Sequence, residues 1–298
     1  MKLDDFFKLN RIMLLDGGTG SLLIEKGLKT GEPPELWNIN QADEIANLAK
    51  IYFYAGSDAV YTNSFGGSKF KLSSYGMGNR ITEINYSAAK IAVGQKPEAK
   101  FVFGSVGPSG KMLEPFGDVS EPEMILSFTD QIKALVNGGV DAIVFETFTD
   151  LNEIKCAILA LKEFSTLPFI TSMTFDKNPA GYRTMMGVSI PEAADELLNL
   201  GAYAIGSNCG NGIENMIEIG NEFRNISTEI KIILKANAGM PKYTNGKIEY
   251  SESPEYFARH TKALFKINPS FVGGCCGTTP EHIKVLRNAI NNHYGIKQ

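Results

Sequence analysis

The sequence predicts an α/β protein, a (β/α)8 TIM barrel, and three observations carry that expectation. Eight short apolar runs, rich in β-branched and aromatic residues, recur along the chain. Stretches with helical spacing of apolar residues separate them. The runs are near-continuous rather than alternating, which is the pattern of parallel strands buried on both faces.

In chain order the runs are Ile12–Leu15, Ala59–Thr62, Phe101–Val106, Ala142–Phe145, Phe169–Met173, Ala202–Ser207, Lys231–Lys235 and Phe271–Gly273. Each is long enough for one buried strand. The helical stretches are Asp43–Ala55, Ile81–Val93, Glu123–Gly138, Asn152–Phe164, Pro191–Leu200, Glu214–Arg224, Ser253–Ile267 and Pro280–Ile290. Eight βα units in 298 residues suit a closed barrel, which takes about 250 residues. An open doubly wound sheet would carry a G-x-G-x-x-G turn after its first strand. Here that turn is Asp16-Gly17-Gly18-Thr19-Gly20, which lacks the spacing. No Pro/Ser-rich linker, charge block or short repeat divides the chain, so one domain over residues 1–298 is expected. Asn178–Thr184 and Tyr243–Ser253 read as irregular excursions between elements.

The composition narrows the function. A net charge of −4 gives no basic footprint for nucleic acid. No apolar run reaches the roughly 20 residues that span a bilayer. Residues 1–11 lack the apolar core of a secretory signal, so a cytoplasmic location is expected. In a reducing compartment the four cysteines read as metal ligands or nucleophiles rather than disulfides.

A parallel barrel presents its chemistry on the loops that follow its strands. Those loops carry Asp16-Gly17-Gly18, Asn63-Ser64-Phe65, Gly107-Pro108-Ser109, Glu146-Thr147, Thr174-Phe175-Asp176, Asn208-Cys209-Gly210, Asn237-Ala238-Gly239 and Gly274-Cys275-Cys276-Gly277. Strands six and eight are separated only by strand seven in a closed barrel. Cys209, Cys275 and Cys276 can therefore meet. Three sulfurs with one open position is an arrangement of catalytic zinc. Sulfur donors select Zn²⁺ or Cu(I) over Mg²⁺ or Ca²⁺, and an iron–sulfur cluster usually needs a fourth cysteine. Cys156 falls within a helical stretch and reads as a small buried hydrophobe. His260 and His293 read as surface residues, and His282 as a capping or packing residue.

Taken together, Leu14-Leu15-Asp16-Gly17-Gly18, Thr62-Asn63-Ser64-Phe65, Ser105-Val106-Gly107-Pro108, Phe145-Glu146-Thr147, Asn208-Cys209, Asn237-Ala238-Gly239 and Gly273-Gly274-Cys275-Cys276-Gly277-Thr278-Thr279-Pro280 resemble the homocysteine S-methyltransferase family. That family includes the homocysteine-binding module of cobalamin-dependent methionine synthase and the betaine- and S-methylmethionine-dependent enzymes. The resemblance runs from about Ile12 to Ile290. It implies a barrel with Zn²⁺ held by Cys209, Cys275 and Cys276. It implies methyl transfer to the thiolate of homocysteine or a similar small thiol. Asp16 and Glu146 match positions that take the amino group of homocysteine. Backbone amides near Thr62 and Asn63 are expected to take its carboxylate. Asn237 matches a polar position close to the metal.

Thr147 stands where the betaine branch has tyrosine, which counts against betaine as donor. Gly210-Asn211-Gly212 also departs from the family pattern. The chain ends soon after its last helix, so the expected donor is a small molecule such as S-methylmethionine, or a separate methylcorrinoid protein. Two rival readings are a non-catalytic zinc- or thiol-binding module, and a barrel lyase or aldolase using Lys235 as a Schiff-base amine.

Overall fold

The computed structural model describes residues 1–29, 31–244 and 247–296. Eight parallel strands form one sheet: β1 (Met13–Leu14), β2 (Ala59–Tyr61), β3 (Phe101–Val106), β4 (Ala142–Phe148), β5 (Phe169–Met173), β6 (Ala204–Asn208), β7 (Ile232–Ala236) and β8 (Phe271–Gly274). Their order around the sheet is β1-β8-β7-β6-β5-β4-β3-β2, so each strand lies beside its neighbours in sequence and the first pairs with the last. The helices that follow are α1 (Ala42–Ala55), α2 (Ile81–Gly94), α3 (Glu121–Gly138), α4 (Leu151–Lys162), α5 (Ile190–Asn199), α6 (Ile213–Ile226), α7 (Pro254–Lys266) and α8 (Pro280–His293). This is the (β/α)8 barrel that the sequence predicts.

The seam between β1 and β2 closes through aspartate side chains. Leu14 N–H donates to Asp58 Oδ2 at 2.9 Å, and Tyr61 N–H donates to Asp16 Oδ2 at 2.6 Å. Asp58 N–H donates back to the Leu14 carbonyl at 2.6 Å. Lys100 Nζ, at 2.8 Å, and Arg287 neutralise the Asp58 carboxylate. Buried carboxylates persist where cations and N–H donors meet them in this way.

Both faces of the strands are buried, for two different purposes. Met13, Leu15, Phe101, Phe103, Val144, Ile170, Ile233 and Phe271 fill the barrel interior. Leu14, Val60, Val102, Ile143, Ile205 and Val272 pack outward against the helices. Alternate side chains point to opposite faces, so unbroken apolar runs supply both layers at once.

Several described elements differ from the sequence reading, among them helices at Thr19–Glu25, Trp37–Asn40 and Lys69–Ser74 and a fourth strand that runs on through Glu146 and Thr147 to Phe148; three more shape the two ends of the barrel. Leu3–Phe7 is a short helix whose Leu3 and Phe6 join the interior cluster. Phe6 lies edge-on to Phe101 at 6.1 Å and Phe7 meets Phe271 at 4.9 Å. Phe101 and Phe271 begin their strands, so this helix plugs the N-terminal end of the barrel. The stretch expected to be irregular at Asn178–Thr184 belongs to an antiparallel hairpin of Asp176–Asn178 and Gly181–Arg183. Gly181 takes a left-handed φ of 97°, and Ala180 N–H donates to Asn178 Oδ1, which makes the turn. The stretch at Tyr243–Ser253 likewise holds a hairpin, Lys242–Thr244 with Lys247–Glu249; its residues 245–246 lie outside the described ones. No described helix is long and apolar enough to cross a membrane.

Phe6→Ala is expected to cost about 3 kcal/mol, as a buried aromatic lost from a packed layer. Urea denaturation checks this. Because the plug sits at the far end of the barrel from the cysteines, metal uptake by the folded variant is expected to be unchanged.

Candidate metal centre and thiol pocket

β6 ends at Asn208 and β8 at Gly274, with β7 between them. The cysteines that follow therefore leave the barrel at one rim. The sulfurs of Cys209, Cys275 and Cys276 all lie within 4.8 Å of one another, and those of Cys209 and Cys276 are 3.8 Å apart. β7 stitches the two segments together. Cys209 N–H donates to the Lys235 carbonyl at 3.2 Å, and Cys275 N–H donates to the Ala236 carbonyl at 2.7 Å. Ala238 N–H donates to the Cys276 carbonyl at 2.9 Å.

The local backbone is shaped for this meeting. Cys209 has φ 62° and Thr147 has φ 65°, a left-handed conformation that is costly for residues other than glycine and gathers at functional sites. Gly277, at φ 77°, leaves no room for a Cβ, which would fall 2.1 Å from the Tyr250 ring. Asn208 braces the rim. Its Nδ2 donates to Thr147 Oγ1 at 2.7 Å and reaches Cys275 Sγ at 3.7 Å, while Thr147 N–H donates to its Oδ1 at 2.8 Å. The Asn237 side chain helps to lower the Cys209 thiol. Its Oδ1 is buried without a partner among the described residues.

The three sulfurs divide their charge unevenly. Hydrogen bonds from Cys275 and then Cys276 hold the Cys209 thiol down at about 3. The same contact with Cys209 pushes Cys275 up to about 11, and Cys276 is raised further. By contrast, Cys156 is buried in α4, and burial pushes its thiol up to about 12.

A cavity of about 430 Å³ opens beside the sulfurs. Its lining includes Asp16, Tyr61, Thr62, Asn63, Glu146, Thr147 and Lys235 together with the three cysteines. Glu146 accepts a hydrogen bond from the Ser105 hydroxyl. Burial raises its carboxyl to about 7, against the opposing pull of Lys235 and with help from the Cys275 sulfur. Lys235 is 3% exposed; its Nζ donates to Asp16 Oδ1 at 2.7 Å and lies 3.5 Å over the Tyr61 ring. Burial alone would lower its pKa, but Asp16, Glu146 and Cys275 raise it above the ordinary lysine value.

The sequence profile of the homocysteine S-methyltransferase family matches residues 13–290. The chain belongs to that family. It is 30% identical over 302 residues to methionine synthase of Mycobacterium tuberculosis, a match covering 95% of this chain and 25% of that protein. It thus spans about a quarter of that relative's length. Among solved structures, the metallated form of the homocysteine methyltransferase MmuM from Escherichia coli superposes with a TM-score of 0.78 at 19% identity, covering 96% of this chain and 99% of that one. The apo form of the same protein gives 0.71 over 93% and 95%. These structural likenesses carry the fold.

Within this family member, the residues singled out from sequence stand as follows. Cys209, Cys275 and Cys276 converge. Asp16 and Glu146 line the cavity beside them. Asn237 helps to lower the Cys209 thiol from the next strand end. Thr62 and Asn63, near which backbone amides were expected to take the carboxylate, both line the cavity. Thr62 N–H is spent on the Phe103 carbonyl at 3.0 Å, which continues the sheet. The Asn63 side chain ties down the loop after β1, donating to the Pro34 carbonyl at 2.8 Å and to Asn38 Oδ1 at 3.0 Å. Lys235 cannot readily serve as a Schiff-base amine, because its ion pair keeps it protonated and an attacking amine must be neutral. His282 packs as expected: Thr279 N–H donates to its Nδ1 at 3.1 Å, and its Nε2 meets the Glu252 carbonyl at 3.0 Å.

Two site residues were not foreseen. Tyr250, beyond the second hairpin, lies with its ring against Gly277, and burial then the Cys276 charge push its phenol to about 12. Glu35 is buried against Gly66, whose N–H donates to it at 2.6 Å, and burial raises its carboxyl. A lone tyrosine or glutamate between elements offers no spacing signal.

Glu146→Gln gives a pH test of this burial. A carboxyl whose folded pKa is raised from 4.5 to about 7 binds its proton more tightly in the folded state. Its contribution is therefore most favourable below 4.5 and is lost as pH rises through 7. The metal-free, reduced variant is expected to gain stability over the parent at pH 8 and to lose that gain below pH 4.5. Paired denaturation curves at the two pH values check it.

Proposed function

We propose that this protein is a zinc-dependent S-methyltransferase that moves a methyl group to the thiolate of homocysteine, giving methionine, with Cys209, Cys275 and Cys276 as the zinc ligands. The observation that carries the reading is the convergence of three sulfurs from two distant strand ends on the floor of a cavity lined by carboxylates. The donor set fits the ion. Tetrahedral zinc with Zn–S bonds of about 2.3 Å sets its sulfurs about 3.8 Å apart, and Cys209 and Cys276 stand 3.8 Å apart. When bound, zinc supplies the Lewis acidity that keeps a coordinated thiol ionised at neutral pH.

The chain's own groups do the rest. Three cysteine thiolates leave the centre negatively charged, which keeps the acceptor sulfur electron-rich. Glu146, ionised above about 7, takes the acceptor's ammonium group, and Asp16 lies beside it. Holding the acceptor by its head group fixes its sulfur against an incoming methyl carbon, and such positioning can supply several kcal/mol. The acceptor sulfur forms the new S–CH₃ bond. The donor keeps the electron pair of the bond that breaks, and the thiol proton leaves to solvent.

The donor is a separate methylcorrinoid protein or a small molecule such as S-methylmethionine. The exposed Phe65, Met112, Phe116, Met185 and Met240 on loops that follow the strands favour the protein. Scattered apolar residues are ordinary, but several on one rim suit a partner surface.

The purified protein is expected to bind one zinc per chain, and Cys275→Ser and Cys276→Ser are each expected to lose it in a metal assay. Incubation with homocysteine and methylcobalamin, S-methylmethionine or betaine is expected to yield methionine with one of the first two, detected by mass spectrometry. Full zinc in both serine variants, or no methionine from any donor including a methylated corrinoid protein, would contradict the reading.

A further inference from the structure

Methyl transfer beside a cluster of cysteines carries a chemical hazard. Cysteine binds a metal as its thiolate, and the thiolate is also the nucleophile. A donor that methylates an acceptor sulfur can therefore methylate the protein. Cys275 is half-buried and lines the cavity beside Cys276, so it faces the same space as the acceptor.

Asn208 meets this sulfur from the neighbouring segment. It is fully buried, and its amide offers two N–H donors and one acceptor oxygen. Each is engaged. Nδ2 donates to Thr147 Oγ1 at 2.7 Å and to Cys275 Sγ at 3.7 Å, while Oδ1 accepts from the Thr147 N–H at 2.8 Å. The Thr147 N–H leaves the amide one orientation, because the flipped form would set N–H against N–H. Thr147 aims that N–H from a left-handed conformation, φ 65°, where the pairing of β4 with β5 shifts register between Phe145 and Phe148. The Asn208 carbonyl is held too, by the Thr174 hydroxyl at 3.0 Å. Groups at the ends of β4 and β5 thus lock an N–H donor against the Cys275 sulfur.

We propose that Asn208 is a positioning residue that mutes Cys275 through this N–H···S hydrogen bond, so that the incoming methyl group goes to the acceptor sulfur and not to the metal ligand. A sulfur whose negative charge is stabilised is the weaker nucleophile. Groups that hydrogen-bond metal ligands tune such sites by about 10–100-fold. Both Asn208 protons are committed before the acceptor arrives, so the acceptor sulfur receives no such bond from it and stays the more reactive of the two. The inference rests on the reading of the three cysteines as zinc ligands in a methyl-transfer site.

Iodomethane tests this on the zinc-loaded protein, since it needs neither an acceptor nor a biological donor. The cysteine sulfur takes the methyl carbon, and iodide leaves with the electron pair of the broken bond. Peptide fragmentation in a mass spectrometer reads the rate at each cysteine. Asn208→Ala and Asn208→Asp are each expected to speed methylation of Cys275 about tenfold, with Cys209 and Cys276 within about threefold of the parent. The alanine opens space without adding charge, and the aspartate adds charge without opening space, so only the lost N–H is common to both. In the cobalt-substituted protein both are expected to move the sulfur-to-cobalt charge-transfer band to longer wavelength, because a sulfur freed of its hydrogen bond gives up electron density more readily. A merely structural role would leave that band in place and speed all three sulfurs alike. Either result, an unchanged Cys275 rate, or loss of zinc from both variants would overturn the proposal. Asn208→Asp keeps the side chain's size and an acceptor for the Thr147 N–H, and it decides alone if the alanine variant does not fold. A parent that binds no zinc would overturn the proposal and the proposed function together. A zinc-loaded parent that methylates no acceptor strikes the function alone, because the alkylation rates are read without one.

Discussion

Everything in this molecule depends on barrel closure. Cys209 and Cys275 are 66 positions apart in the chain (209 to 275), yet each follows a strand that flanks β7. Once the ladder β6-β7-β8 forms, the Lys235 and Ala236 carbonyls of β7 accept from the two cysteine amides. The sulfurs then have little choice but to meet. The cost is local: a left-handed Cys209, a left-handed Thr147, and a glycine at 277 pressed against a tyrosine ring. Strain of this kind persists only where the surrounding structure over-determines it. Here the strand ladder and the Asn208 brackets do so.

The second constraint is charge. Three cysteine sulfurs, three buried carboxylates and a buried ammonium share one cavity. Asp16 joins both halves of this design. One oxygen closes the β1–β2 seam at Tyr61 N–H, and the other holds Lys235. The residue that shuts the barrel therefore also sets the field inside the cavity. Removing one partner of such a buried pair leaves an uncompensated charge, which costs more than the pair itself contributes.

The fold was legible because parallel barrel strands are buried twice. Runs such as Phe101–Val106 and Phe169–Met173 cannot alternate, since one face meets the barrel interior and the other meets helices. The cysteine site was legible because its three members follow strands of known order. What escaped the sequence has a common cause: it is held by tertiary contact rather than by period. The N-terminal plug uses only Leu3, Phe6 and Phe7, too few residues to show a helical repeat. The first hairpin pairs the exposed polar residues Asp176, Lys177 and Asn178, which carry no apolar alternation. Tyr250 reaches Gly277 only because the chain folds back over the rim. Lys235 looked like a candidate amine until its neighbours were in place, and its pairing with Asp16 spans the first and seventh strand ends.

X-ray absorption at the zinc edge tests the central claim most directly. The zinc-loaded protein is expected to give three sulfur neighbours and one lighter atom. Addition of homocysteine should change that set to four sulfurs. Two or fewer sulfurs in the resting protein, or a resting set of three that homocysteine leaves unaltered, would contradict the account.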